Sequence, residues 1–438
     1  MSRVPFELRT LEDLGELCGR LSVDLPAVQD VSCLAEQVPL GHWTAPNRFL
    51  AQPMEGADAT SAGAPGPLTE RKYRRLAKGA WGVIWFEATA VEPDARARPH
   101  QLCLTDETAD AFARLVEATR RAAEGRSPLL VLQLTHSGRF SRPEGTRRPV
   151  IAQHSAALDA QHGIAEDLVT ITDDELDRIG ARFVHAARLA AQAGFDGVDV
   201  KACHRYLFSE LLGAHRREGR YGGAYENRTR VVRETVAAIR ETAPDVLVTT
   251  RMGVYDGLPW PDGWGVKPDG GLEPDLTEPV RLARELSSLG VPMINASVGS
   301  PYYNPQRSRP DGGQGRAHPL YGIAQYVGLA GDLQEAVPEV AVASAGCAWL
   351  RHVYPHVAAG AVRAGRAAFA GQGRETLAYP HAPRDVIQTG RMDPDKCCIT
   401  CSTCGALLGS DRPAGCVVRD REVYRPEVGA DRSLTPES

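Results

Sequence analysis

From about residue 49 to residue 375, short apolar or β-branched runs alternate with amphipathic stretches. Eight runs have the length and composition of buried strands: Phe49–Met54, Gly82–Thr89, Leu129–Thr135, Gly197–Ala202, Val246–Met252, Met293–Val298, Val340–Ala345 and Ala367–Gly371. Between several of them the apolar positions recur at helical spacing, in Asp106–Ala123, Asp173–Ala193, Asn227–Thr242 and Thr277–Leu289. The third of these places Val231, Val232, Thr235, Val236 and Ile239 on one face. Thr172 or Asp173 caps the second, with Glu175 in its first turn. Strands separated by helices predict an α/β protein with a parallel sheet, and the number eight favours a closed (β/α)8 TIM barrel over an open doubly wound sheet. The Gly/Pro-rich segment 255–275 and the polar segment 301–317 then become long loops at the C-terminal face, where such barrels build their sites. This reading divides the chain into an extension (1–43), a barrel (44–380) and a C-terminal segment (381–438).

Composition narrows the class. A chain of 438 residues with 43% hydrophobic and 24% charged residues has ample material for a core. A net charge of −5 argues against a nucleic-acid partner, which usually demands a basic face. No apolar run reaches 18 residues, so no membrane span is expected. The N-terminal residues are charged and amphipathic and lack the apolar core of a signal peptide. Five of the ten cysteines are scattered, unlike a disulfide framework, and a cytoplasmic setting is expected. With 45 Arg against only 5 Lys, any lysine at a special position stands out.

The other five cysteines lie together. Cys398, Cys401, Cys404 and Cys416 form a C-x2-C-x2-C-x11-C run, with Cys397 just before it. Two-residue gaps let three thiolates converge on one inorganic centre, and a longer excursion brings a fourth from another side. Four thiolates suit a 4Fe–4S cluster or a tetrahedral zinc, and spacing does not choose between them.

Barrel chemistry comes from side chains at or just past the strand ends. Those positions hold Met54-Glu55, Glu87-Ala88-Thr89, Gln133 with His136, Lys201 with His204 and Tyr206, Arg251, Ser344-Ala345-Gly346 and Gly373-Arg374. The last two are glycine-bearing turns after strands seven and eight, a common place for backbone amides to hold a phosphate. Each residue has a plain structural alternative: Ala88 as core, Gln133 as a satisfied amide, Arg251 as a salt-bridge partner. Their convergence on one face favours a site.

Several segments carry a resemblance. Pro46-Asn47-Arg48 with Pro53-Met54, Glu87-Ala88-Thr89-Ala90, Gln133 to Arg139, His204-Arg205-Tyr206-Leu207, Tyr221-Gly222-Gly223 with Glu226-Asn227-Arg228, and the cysteine run stand in one order. In this the chain resembles the old yellow enzyme family of FMN-dependent oxidoreductases. The likeness is to its iron–sulfur branch, which includes 2,4-dienoyl-CoA reductase and trimethylamine dehydrogenase. The resemblance implies FMN held by Pro53, Met54, Ala88, Gln133, Arg251, Gly346, Gly373 and Arg374. It also implies a 4Fe–4S cluster on Cys398, Cys401, Cys404 and Cys416.

Lys201, His204 and Tyr206 match the family's substrate clamp, in which two side chains three apart bond a carbonyl and the tyrosine protonates carbon. Lys201 departs from the His or Tyr of many members and favours an anion, unless it merely pairs with Glu55 or Asp199. Glu55 stands where relatives often carry a smaller or softer residue near the flavin; it is tied to Lys201 or turned away. Gly219 replaces a common Asp.

The implied activity is reduction or desaturation of a C=C/C–C bond beside a carbonyl or carboxylate of a small molecule. NAD(P)H serves as direct or indirect donor. Only 22 residues follow Cys416, so the expected electron supply is a separate electron-transfer protein; a homo-oligomer is compatible. Two alternatives remain. One is C–N oxidation of the trimethylamine type, with a cage from Trp260, Trp264, Tyr302 and Tyr303 on the long loops. The other is a non-catalytic flavin and iron–sulfur electron-transfer subunit.

Overall fold

The computed structural model describes residues 4–311 and 317–429. Among them, ten strands run β1 Val38–Leu40, β2 Trp43–Ala45, β3 Phe49–Ala51, β4 Val83–Ala90, β5 Leu129–Thr135, β6 Gly197–Val200, β7 Leu247–Tyr255, β8 Met293–Val298, β9 Ala341–Ser344 and β10 Phe369–Gln372. The last eight close into a barrel in the order β10-β3-β4-β5-β6-β7-β8-β9, every neighbour parallel. Each expected strand is present, though β7 extends three residues past Met252 to Tyr255.

The strands read as continuous apolar runs because both faces are buried. Ile84 and Phe86 pack outward with Leu130, Leu132 and Leu134 against the helical layer. Val83, Trp85, Leu129, Val131, Leu247, Met293 and Phe369 pack inward at the N-terminal end. There they meet Val38, Leu40 and Ala45 of the β1–β2 hairpin, which the sequence pattern left unseen. Strands of three residues carry too little periodicity to declare themselves.

Helices Asp173–Gln192 and Thr277–Ser288 follow the sequence pattern, and Thr172 caps the first through a complete capping box with Glu175. The expected helix Asn227–Thr242 is instead two pieces, Tyr225–Arg228 and Arg230–Thr242, joined at Thr229. Pro319–Ala336 escaped notice because it is apolar almost all round, with ten buried residues and no polar stripe. The expected loop 301–317 lies partly outside the described residues and contains a short helix, Pro305–Ser308. No helix among the described residues is long and apolar enough to cross a membrane.

Candidate active site

A cavity of about 380 Å³ opens at the C-terminal ends of the barrel strands. Pro53, Met54, Gln133, Lys201, His204, Tyr206, Arg251, Gly346, Gly373 and Arg374 all line it. Ala88 does not: it is buried in β4, where the register shifts between Phe86 and Thr89, and its carbonyl accepts from Gln101 Nε2 at 2.8 Å.

Asp199 organises one wall. Its carboxylate accepts from Gln133 Nε2 (2.6 Å), Trp85 Nε1 (2.8 Å) and the Arg251 amide (2.6 Å). Burial pushes this carboxyl up to about 6 despite the three donors. Asp199 is therefore a positioning group for Gln133 and Arg251, and it forms no ion pair with Lys201 among the described residues.

Lys201, His204 and Tyr206 follow β6 on a tight loop. His204 (φ 66°) and Arg205 (φ 60°) are successive non-glycine residues in the left-handed region, a cost of about 1–3 kcal/mol each. Buried Arg205 secures the turn by pairing with Asp256 at 3.1 Å, and its amide bonds Ser209 Oγ. The loop thus projects all three side chains into the cavity. Lys201 Nζ sits 3.7 Å from the centroid of the Tyr206 ring. Burial lowers the Lys201 ammonium from its usual range, and burial with the Arg251 and Lys201 charges holds His204 well below its own. His204 is a neutral imidazole at pH 7, able to donate one N–H. Burial, then the Glu55 charge and Tyr302, push Tyr206 well above an ordinary phenol, which keeps its proton in place.

Glu55 forms no ion pair with Lys201 among the described residues. Its Oε2 accepts from Arg98 Nε at 3.2 Å and its Oε1 from the Tyr206 hydroxyl at 3.3 Å. Arg98 had no motif to mark it; its value comes from reaching across the barrel mouth. The Met54–Glu55 turn is held from below by Lys72, which bonds the buried Glu87 carboxylate and the Met54 carbonyl, while the Gly56 amide donates to Glu87 at 2.7 Å. A buried lysine in a chain with five was the available signal for this network.

The turns after β9 and β10 suit a phosphate. Gly346 has φ +86°, and a Cβ there would lie 2.6 Å from the Tyr326 ring, so only glycine fits. Arg251 Nε, Arg351 Nε and Gln372 Oε1 are buried on residues lining the cavity and have no hydrogen-bond partner among the described residues. Unpaired polar atoms of both signs around a cavity of this volume fit a planar polar cofactor with a charged tail.

The four motif cysteines, none in a disulfide, line one small cavity with Leu377, Ile399, Val417 and Val418. Burial raises the Cys398, Cys404 and Cys416 thiols, the last to about 11. Among the described residues no three His, Cys, Asp or Glu groups converge closely enough to hold a metal ion. The expected ligand set is therefore gathered around one space without closing on a centre. Apolar walls and a four-sulfur donor set fit a cluster chemically. Arg374, Leu377, Ser402 and Cys404 line both cavities, so the cysteine segment is also a wall of the main one.

Of the aromatic cage expected on the long loops, only Tyr302 lines the cavity. Trp264 is buried with its Nε1 on the Gly253 carbonyl (2.8 Å), and Trp260 is 42% exposed beside His215.

The site is thus a polar cavity at the C-terminal mouth of a closed parallel barrel. The chain belongs to the NADH:flavin oxidoreductase / NADH oxidase family, whose model matches residues 36–263. FMN, with NADH or NADPH as reductant, is the cofactor set of that family and its relatives. An NADPH dehydrogenase of Bacillus velezensis (strain DSM 23117 / BGSC 10A6 / LMG 26770 / FZB42) is 30% identical over 261 residues, 59% of this chain and 70% of that protein. The NADH-dependent flavin oxidoreductase iliE of Neonectria sp. (strain DH2) is 31% identical over 222 residues, 46% of this chain and 28% of its own. A metal reductase of Desulforamulus reducens (strain ATCC BAA-1160 / DSM 100696 / MI-1) is 27% identical over 417 residues, 93% of this chain and 56% of that one. A solved 2-naphthoyl-CoA reductase complex superposes with TM-score 0.74 at 19% identity, covering 89% of this chain and 57% of that chain. The old yellow enzyme homologue from Zymomonas mobilis superposes with TM-score 0.63 at 20% identity, covering 83% and 94%. These structures share the fold. The chain spans 28% of iliE and 56% of the metal reductase.

Proposed function

We propose that the chain is an FMN-dependent oxidoreductase of activated C=C bonds, acting on an anionic or carbonyl-bearing small molecule in the reducing or desaturating direction. The observation that carries this reading is the charge of the cavity wall. Arg98, Lys201, Arg251, Arg309, Arg351 and Arg374 line it against two carboxylates, Glu55 and Glu375. Burial lifts Glu375 to about 8, and Arg98 engages Glu55. Such a wall repels a cationic amine and attracts carboxylates and developing enolates.

When bound, FMN would supply the hydride chemistry at the carbon β to the carbonyl. Arg251, Gln133, Pro53 and Met54 would hold the ring system, with Gly346, Gly373 and Arg374 at the phosphate. Lys201 and His204 donate hydrogen bonds to the substrate oxygen, where negative charge develops. Tyr206 places its proton at the α-carbon. Cys398, Cys401, Cys404 and Cys416 would hold a 4Fe–4S cluster, which would supply one-electron chemistry beside the main cavity through the wall shared by Cys404 and Arg374. The electron source in this reading is a separate electron-transfer protein, with NAD(P)H as the competing route.

Tyr206→Phe tests the core of this reading. Reoxidation of the reduced holoenzyme by cyclohexenone is expected to slow by about 10²–10⁴-fold, the usual worth of a general acid, with flavin reduction by NADH or NADPH unchanged. Equal slowing of both half-reactions in stopped flow would remove Tyr206 from the role. Fast flavin reduction by NAD(P)H alone, matching steady-state turnover, would remove the need for a partner.

A further inference from the structure

We infer that Tyr302 is the group that returns a proton to Tyr206, and that the Glu55–Arg98 pair sets the direction of that transfer. The inference rests on the reading of Tyr206 as proton donor.

Three oxygens lie in a row. The Tyr206 hydroxyl is 3.3 Å from Glu55 Oε1 and 2.8 Å from the Tyr302 hydroxyl. The Tyr–Tyr bond is ambiguous by itself, since either oxygen can donate. Arg98 engages the other Glu55 oxygen at 3.2 Å, and a carboxylate paired with a guanidinium only accepts. The relay is the arrangement in which the Tyr206 proton is held toward Glu55 and Tyr302 donates the Tyr–Tyr bond, in the order Tyr302 to Tyr206 to Glu55.

That order has a chemical consequence. When the Tyr206 O–H breaks and the α C–H forms, the phenolate oxygen already accepts a hydrogen bond from Tyr302. The Tyr302 O–H then breaks as the Tyr206 O–H re-forms, and water restores Tyr302. Desaturation runs the same steps backwards. Tyr206 is fully buried, whereas Tyr302 is half-buried on the loop after β8 and so is the nearer of the two to solvent. Three contacts fix Tyr302 in this position. Its ring stacks on Phe140 at 4.1 Å, its amide bonds Ser300 Oγ, and its carbonyl accepts from Gln161. Arg98 also donates to the Leu408 carbonyl, so the helix that carries Cys404 helps to fix Glu55.

The test is single-turnover reoxidation of the reduced FMN holoenzyme by cyclohexenone in mixtures of water and deuterium oxide. The wild type is expected to show a bowed dependence of rate on deuterium fraction, for two protons in motion. Tyr302→Phe is expected to give a linear dependence and a rate about tenfold lower, with flavin reduction unchanged. Glu55→Gln, whose amide both donates and accepts, is expected to lose the curvature with Tyr302 still present. A second readout needs no flavin: in protein labelled at the tyrosine ζ-carbon, the Tyr206 resonance should shift in both variants. A linear wild-type dependence, or wild-type rate and curvature in Tyr302→Phe, overturns the relay. If Tyr206→Phe also reoxidises normally, the donor assignment itself falls.

Discussion

The barrel and the cysteine-bearing segment share a cavity wall but are held together by different physics. Barrel strands bury both faces, and one continuous apolar cluster runs from β3 to β10 through the helices around them. The segment has only a small cluster of its own, Leu407, Ala414, Val417, Tyr424 and Val428. Much of its docking is polar. Asp420 accepts from Arg71 and Arg75, Asp411 pairs with Arg142, the Cys398 amide donates to Glu375, and the Ala414 amide donates to the Gly56 carbonyl. A scaffold fixed by apolar burial thus carries an attachment that adds ion pairs and hydrogen bonds to a few apolar contacts, Met392 and Cys397 in the main cluster and Leu68 against its own. Each such contact is worth less than a core side chain.

The sharpest way to break this contrast is in the barrel. Phe86→Ala removes a fully buried ring stacked on Tyr73 and edge-on to Phe195, and is expected to cost about 3–5 kcal/mol. Denaturant unfolding of the whole chain measures it; a loss below about 1 kcal/mol would contradict the packing. Asp420→Ala removes the acceptor of two arginines that are each about one-third exposed, for an expected cost of about 1–3 kcal/mol. Because that cost falls on the segment, hydrogen exchange should quicken beyond residue 390 while β4 and β5 stay protected. Cys401→Ser sharpens the same division by composition: iron is expected to be lost and FMN largely kept, read by metal analysis and the visible spectrum. Stoichiometric zinc in the wild type would end the cluster reading. The smallest effect is expected from Arg142→Ala, a partly exposed pair with Asp411 worth at most about 1 kcal/mol. A larger shift in melting would mean that this contact does more than dock a surface.

What could be read from the chain follows the same division. Each barrel strand showed in the sequence because double-sided burial leaves a continuous apolar run. The Lys201, His204 and Tyr206 trio showed because all three sit on one loop after β6. The aromatic cage failed because residues close along a loop need not face one way; Trp264 turns into the core while Tyr302 reaches the cavity.

The sequence by itself determined the periodicities, the strand count, the turn glycines and the cysteine spacing, all properties of neighbours along the chain. Only the tertiary structure decided that Glu55 answers to Arg98 and Tyr206, which lie 43 and 151 positions away, and that Tyr302 completes the row. Those partners sit on different loops, and their meeting depends on β10 pairing with β3 to close the ring. Local patterns follow from backbone geometry and burial. Which distant side chains meet at the barrel mouth is set by closure, a property of the whole sheet.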